Sequence, residues 1–345
     1  MTGLSEAAPE RTRSGASGAF YAVADEGYFL GAVGLVNSLR LVGHDEPIRL
    51  LDCGLREDQR ALLEPEVELV EGPEDTPPWL LKTIAPLAKP ADVMVLIDVD
   101  MIATRRLGEL AERAEDGEIA VIENFRDRFC PEWGELLDLG PVRRRPYVSS
   151  GLVAAGRELG TEVLGLMGEL QDRVDFDLTF WRRDVRRYPF RFGDQDVLNG
   201  ILSSDRVPAE RIATLGKRLA PTPPYRGLRI ADEATLRCSH HDGLEPMVVH
   251  QYIRKPWIES TYNGVYSRLL LRLLCGDDVA IRVPEAAVPR RLRRGPAATV
   301  ERALINVRDA PRWHLADQLW DSIPERLKNR IDERRHRGVY PAVNR

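Results

Sequence analysis

No stretch of this 345-residue chain approaches the roughly 20 consecutive apolar residues that cross a bilayer, so no membrane-spanning helix is expected. The first residues, M-T-G-L-S-E-A-A-P-E-R-T-R-S-G-A-S-G, lack the apolar core of a secretory signal and read as a disordered lead-in over residues 1–18. Cysteine is scarce. Cys53, Cys130, Cys238 and Cys275 stand far apart with no C-x-x-C pair, which points away from zinc and toward reduced thiols in a cytoplasmic compartment. There are no internal repeats, and no excess of positive charge: the net charge of −5 argues against nucleic acid as a partner. What is present, 43% hydrophobic and 30% charged residues, suits a globular protein with a sizeable core. The charge is unevenly spread. From Glu285 onward there are 14 Lys and Arg against 8 Asp and Glu.

The most informative stretch is Ala91 to Thr104, A-D-V-M-V-L-I-D-V-D-M-I-A-T. Val93 to Ile97 is an unbroken apolar run, rich in β-branched residues and too short for a helix, as in a strand buried on both faces. Asp98 and Asp100 follow at its carboxyl end, where ligands bind in open α/β sheets. Two carboxylates in apolar surroundings are costly to bury without positive charge between them. A divalent cation carrying a phosphate answers that need. The plainer reading is a strand closed by acidic turn residues.

In chain order, Ala19 to Ala24 is a first strand, ending in Asp25-Glu26-Gly27, and a helix follows from about Tyr28 to Val42. Ile48 to Leu51 and Val67 to Val70 are strands around a short helix at Gln59 to Leu63. Thr76-Pro77-Pro78 opens a helix around Trp79 to Leu87. With the Val93 strand, this alternation calls for a parallel sheet with helices on both faces. Leu107 to Arg113 reads as helix, Ile119 to Ile122 as strand, and Phe125 to Tyr147 as a long loop suited to an acceptor lid. Ser149-Ser150-Gly151 leads into a strand over Leu152 to Ala155, then a helix from about Thr161 to Val174. Another helix starts at Gly193-Asp194-Gln195-Asp196, capped by Gly193 or Asp194. Met247 to Gln251 is a strand leading into His250-Gln251-Tyr252-Ile253-Arg254-Lys255-Pro256-Trp257. Beyond Thr261 the chain reads helical, broken by a Pro- and Arg-rich linker near Pro284 to Pro296.

The order of these motifs (A-D-E-G-Y, D-V-D, S-S-G, D-Q-D-V-L-N, then H-x4-K-P-W) resembles the retaining, metal-dependent GT-A glycosyltransferases of family 8, relatives of glycogenin and of bacterial lipooligosaccharide galactosyltransferases. The resemblance covers about residues 19 to 258. It implies a Rossmann-like α/β fold with a mixed, mainly parallel sheet, a catalytic domain over 19–260 and a helical, basic extension over 261–345. It also implies transfer of a hexose from a UDP-sugar, with retention, to an acceptor that the sequence leaves open among saccharide, lipid-linked glycan, small metabolite and protein.

Position by position, the resemblance implies that Val23, Ala24 and Asp25 hold the nucleotide base, with Tyr28 bordering it. Lys82 stands near the ribose and phosphates, and Ser150 is among the residues that bind the nucleotide-sugar. Asp98 reaches ribose and metal, Asp100 and His250 the metal, and Lys255 the diphosphate. Asp194 and Gln195 sit beside the donor sugar. Two departures stand out: His250 and Lys255 are closer than is usual, with Ile253 where a glycine is common, so Arg254 becomes a second candidate beside Lys255; and Ser149 replaces an asparagine. On residue chemistry alone, two carboxylates and one imidazole suit Mn²⁺ or Mg²⁺, the imidazole favouring Mn²⁺.

Single residues also have plainer readings: a core histidine for His250, a solvated helix face for Lys82, a cap for Asp194. His240-His241-Asp242 reads as loop, since adjacent side chains rarely face one site. Two rival functions are a phosphatase with Asp98 as nucleophile and Asp100 as acid, its late acidic motif imitated by Gly276-Asp277-Asp278, and a nucleotide-sugar-binding protein without turnover. The cationic segment around Arg290, Arg291, Arg293 and Arg294, followed by Leu304, Trp313, Leu319, Trp320 and Leu327, suggests peripheral contact with the inner membrane surface or, at least equally, a helix packed on the domain or on a dimer partner.

Overall fold

A computed structural model describes residues 17–73, 78–262 and 264–321, with residue 79 and residues 310–321 as backbone only. The lead-in up to residue 16, Thr76-Pro77, and Leu327 lie outside the described residues, as do the side chains of Trp313, Leu319 and Trp320.

The first half alternates as expected: β1 (Gly18–Ala24), α1 (Phe29–Leu41), β2 (Ile48–Asp52), α2 (Glu57–Leu63), β3 (Glu68–Glu71), α3 (Ile84–Ala88) and β4 (Val93–Ile97). Then come β5 (Met101–Ala103), α4 (Gly108–Glu115), β6 (Ile119–Glu123), α5 (Trp133–Leu136), β7 (Val148–Gly156), α6 (Arg157–Gln171) and α7 (Asp194–Ser203). The remainder is β8 (Ile212–Leu215), a hairpin of β9 (Leu228–Asp232) and β10 (Arg237–His240), β11 (Val248–His250), α8 (Gly264–Cys275) and α9 (Pro296–Asp321). The helix expected over Trp79 to Leu87 is instead a 3-10 turn at Pro78–Leu80 followed by the short α3. Strands β5, β8, β9 and β10 were not legible as periodic runs, being only three to five residues long.

The central sheet has the order β3-β2-β1-β4-β7-β6-β8. All neighbours pair in parallel except β7, which runs antiparallel to both β4 and β6. The sheet is thus mixed and mainly parallel. Strand β4 is buried along its whole length, and its alternate residues serve two cores. Val93, Val95 and Ile97 join α1, α2, α4 and α8 on one face, while Met94 and Leu96 join α3, α6 and α7 on the other. Each such aliphatic side chain contributes about 1.5–3 kcal/mol on burial. Two-sided burial is why the run lacks any polar alternation.

Chain order reverses between β1 and β4, since β1 continues to β2 on one side and β4 lies on the other. A crevice opens beyond the carboxyl ends of strands at such a switch point. Past the sheet, α8 is built into the same core as α1: Leu269, Leu270 and Leu273 are fully buried there. The Asn37 amide of α1 donates to the carbonyls of Leu273 and Ile281, and its oxygen accepts from Ile281 N–H. Packing is therefore continuous across position 260. By contrast, α9 leaves Val300, Leu304 and Val307 exposed along one side. Among the described residues no helix is long and apolar enough to cross a membrane.

Candidate functional site

Beyond β1 and β4 lies a cavity of about 680 Å³. Strand β4 ends in Asp98-Val99-Asp100, and the chain turns at once into β5, with Met101 N–H donating to the Asp98 carbonyl. This tight turn is fitted against its neighbours by two glycines. A Cβ on Gly31 would lie 2.7 Å from the Val99 carbonyl oxygen, and one on Gly151 would lie 2.7 Å from Asp98 Oδ2. The S-S-G motif thus gives the first aspartate its room.

Strand β5 pairs antiparallel with β11, setting His250 opposite Met101. A residue 150 positions later in the chain is so brought to the acidic pair. Ligand atoms of Asp98, Asp100 and His250 all lie within 4.8 Å of one another. His250 Nε2 is 3.1 Å from Asp100 Oδ1, yet that buried oxygen has no hydrogen bond of acceptable geometry. A buried carboxylate oxygen without a hydrogen bond, facing an imidazole nitrogen and near a second carboxylate, fits a divalent cation with oxygen and imidazole ligands. The backbone of β11 is held by Tyr225, whose hydroxyl lies 3.1 Å from the His250 carbonyl oxygen and 2.8 Å from Gln251 Oε1.

Two lysines balance the carboxylates. Lys255 Nζ pairs with Asp100 Oδ2 and donates to the Gln251 carbonyl at 2.6 Å. Lys82 Nζ bridges Asp98 at 2.7 Å and Asp194 at 3.0 Å. Burial alone would raise the Asp100 carboxyl, but the Lys255 and His250 charges overcome it and hold it below the usual range. Burial dominates at Asp98, with the Asp100 charge adding to it, and raises that carboxyl despite Lys82. Burial would lower Lys82, but Asp194 and Asp98 hold it above the ordinary lysine range. Lys82 is therefore no solvated helix face, and Asp194 is more than a cap: the N-cap of α7 is Gly193.

The remaining expected residues are placed as follows. Val23, Asp25, Tyr28 and Ser150 line the cavity. Asp25 Oδ1 accepts from Tyr28 N–H at 2.9 Å, which caps the turn carrying Tyr28. Lys255 Nζ lies 5.8 Å from the Tyr28 ring centroid. Ala24 is the exception. Its side chain is fully buried in the α1 face of the core, and its carbonyl accepts from Cys53 N–H, so it does not face the cavity. The alternation of β1 sends Val23 one way and Ala24 the other. Arg254 turns away from the acidic pair to Asp309 at 3.3 Å, leaving Lys255 as the cation of that motif at the site. Gly276-Asp277-Asp278 follows α8 outside the cavity, with Asp278 paired to Arg272.

Gln195 is held by a network that sequence reasoning did not reach. Tyr147 Oη donates to Asp196 Oδ1 at 2.7 Å, and Asp196 also accepts from Arg128 Nε at 2.9 Å and Phe192 N–H at 2.7 Å. With its proton so engaged, the Tyr147 oxygen accepts from Gln195 Nε2 at 2.8 Å. On the other side Arg126 N–H donates to Asn124 Oδ1, leaving Asn124 Nδ2 facing Gln195 Oε1 at 3.4 Å. The amide of Gln195 therefore has one orientation, nitrogen toward Tyr147 and oxygen toward Asn124. Burial and the neighbouring Asp196 charge push the Tyr147 hydroxyl well above the ordinary phenol range, so it stays protonated. Asn124 follows the end of β6 and was findable by the same strand-end rule that singled out Asp98. Tyr147 carries no local signal.

No protein-family model matches the sequence, and no curated protein matches it. Solved structures do. An active-site mutant of LgtC, in which a glutamine is replaced by glutamate, superposes with a TM-score of 0.52 at 13% identity, covering 78% of this chain and 98% of that one. Galactosyltransferase LgtC in complex with donor and acceptor sugar analogs gives a TM-score of 0.51 at 16% identity, with the same coverage. Over most of its length, then, this chain has the GT-A glycosyltransferase fold, on a scaffold similar to that of LgtC.

Proposed function

We propose that the protein is a metal-dependent glycosyltransferase that moves a hexose from a UDP-sugar to an acceptor with retention at the anomeric carbon. The observation that carries this reading is the convergence of Asp98, Asp100 and His250 at the β1–β4 switch point, in the cavity that also holds Lys255 and Gln195. Val23, Asp25 and Tyr28 would border the base, and Lys82, Ser150 and Asp194 the ribose, phosphates and sugar. Asp98, Asp100 and His250 would hold Mn²⁺ or Mg²⁺; when bound, such a cation neutralises charge on a leaving diphosphate. Lys255, already beside Asp100, adds a second positive charge there.

Gln195 supports the stereochemical part. Inversion needs a general base and double displacement a carboxylate nucleophile; an amide serves poorly as either. Asp196 is fully buried and bonded to Arg128, Tyr147 and Phe192, and Asp194 is paired with Lys82. A neutral amide of fixed orientation suits steadying an oxocarbenium-like sugar while the acceptor attacks from the leaving-group side. The active-site glutamine altered in the LgtC mutant is of the same residue type.

Calorimetric titration of UDP with and without Mn²⁺ tests the reading. We expect binding that strengthens with the metal and UDP release from a UDP-hexose. Binding without turnover against any acceptor would favour the scaffold alternative. Metal-dependent hydrolysis of a phosphate monoester without UDP binding would favour the phosphatase.

A further inference from the structure

The cavity is lined by carboxylates, Asp25, Asp98 and Asp100 among them, and, beyond the Lys82 and Lys255 that pair with two of these, by three further cations, Arg126, Lys217 and Arg218. Two of these cations are already matched. Arg218 holds Asp242 by two contacts of 2.6 and 2.7 Å, and Lys217 faces Glu123 at 4.0 Å. Arg126 is different. Its guanidinium carbon lies 5.4 Å from the Phe125 ring centroid and 5.2 Å from that of Phe192. Among the described residues, no carboxylate pairs with it. A half-buried guanidinium lying over aromatic faces is partly stripped of water and keeps its N–H edges for a planar or tetrahedral oxyanion.

Its position says which oxyanion. Arg126 is tied through its own N–H to Asn124, and Asn124 contacts Gln195. Phe192 precedes the Gly193-Asp194-Gln195 turn. Through its backbone Arg126 is thus one step, by way of Asn124, from the residue assigned to the reacting sugar, whereas the lysine beside the acidic pair is Lys255. We propose that Arg126 is the anion-binding group of the acceptor subsite, so that the acceptor carries a phosphate or carboxylate near the hydroxyl that receives the sugar. This rests on the glycosyl-transfer reading above.

The test begins with UDP and Mn²⁺, then titrates the loaded protein with glycerol 3-phosphate, glucuronate and, as the neutral control, glycerol. We expect both anions to bind at least tenfold tighter than glycerol. Arg126→Ala should erase that difference with UDP affinity unchanged within twofold, and Arg126→Lys, which keeps charge but loses the fork, should fall between. Dihexanoyl phosphatidic acid against glycerol 3-phosphate identifies the source: tighter binding of the lipid assigns a lipid-borne phosphate, tighter binding of glycerol 3-phosphate a free one. Equal binding of anions and glycerol by the wild type overturns the proposal whatever the variants do. So does Arg126→Ala that binds anions as wild type, or that weakens UDP as much as the anions, which would move the arginine to the diphosphate. If UDP fails to bind at all, the donor reading falls, and the anion titrations of the unloaded protein still decide the role of Arg126.

Discussion

Two sets of charges in the cavity wall are built on opposite plans. At the switch point, charges are buried, interlocked and carried by strand termini: Asp98 on Lys82, Asp100 on Lys255 and His250. Along the loops after β6 and β8, cations lie against rings or lone carboxylates. Burying several charges is tolerable only when each is matched, which is why the first set is interlocked. The second set is half-buried or exposed, and Arg126 lies on aromatic faces in place of a carboxylate.

The sharpest way to break the comparison is at the acidic pair. Asp100→Asn keeps the shape of the side chain but removes the charge that faces His250 and Lys255. We expect UDP release to fall by more than the 10–100-fold typical of changes one shell away from a metal, with the circular-dichroism spectrum unchanged. Activity that survives EDTA, with no gain on restoring Mn²⁺, would sink the metal assignment.

Gln195 links the two sets: the preceding Asp194 is bonded to Lys82, and its own amide faces Asn124, to which Arg126 N–H donates. Gln195→Ala should lower kcat by about 10²-fold with little change in UDP affinity, because its effect belongs to the transition state. Proton NMR of the new anomeric signal tests retention independently. A β-linked product from an α-donor would overturn the mechanism and the family resemblance together.

Tyr147→Phe is expected to act more mildly and in two ways. It deprives Gln195 Nε2 of its acceptor and buried Asp196 of one of its three donors. We expect a smaller kcat loss than for Gln195→Ala, and about 1–3 kcal/mol of lost stability in chemical denaturation. An unchanged kcat at reduced stability would show that the network only supports the fold.

The smallest effect is expected outside the cavity. Val300, Leu304 and Val307 on α9 are 59%, 66% and 74% exposed, so replacing each by Gln should shift stability by under about 0.5 kcal/mol. Pelleting with anionic liposomes, compared between wild type and the triple variant, then tests the membrane contact without stripping buried Leu292 and Ala298 from the core, as truncation before Pro289 would. Equal pelleting removes that reading for the exposed stripe.

Much of this was legible beforehand because the relevant signals are local. Val93–Ile97 announced a strand buried on both faces, and the acidic pair sat where such strands end. The antiparallel insertion of β7 was not legible from periodicity, since a buried strand shows the same apolar run whichever way it points. The three-residue β5 was too short to carry a period, and although β11 falls within the strand expected over Met247 to Gln251, nothing local announced the pairing of the two, which is what brings His250 to the metal candidates.

The sequence by itself determined which residue types are available and in what order: two aspartates after an apolar strand, an S-S-G, a D-Q-D, and a histidine ahead of K-P-W. Only the tertiary structure decided which of them meet. Lys82 joined Asp98 to Asp194, Arg254 left the site while Lys255 stayed, and Ala24 faced the core while Val23 faced the cavity. The orientation of the Gln195 amide was fixed by Tyr147, which is 48 positions away in the chain. The physical reason is that residue type and spacing specify periodicity and local turns, whereas charge pairing and hydrogen-bond direction depend on distances set only when distant strands and loops pack.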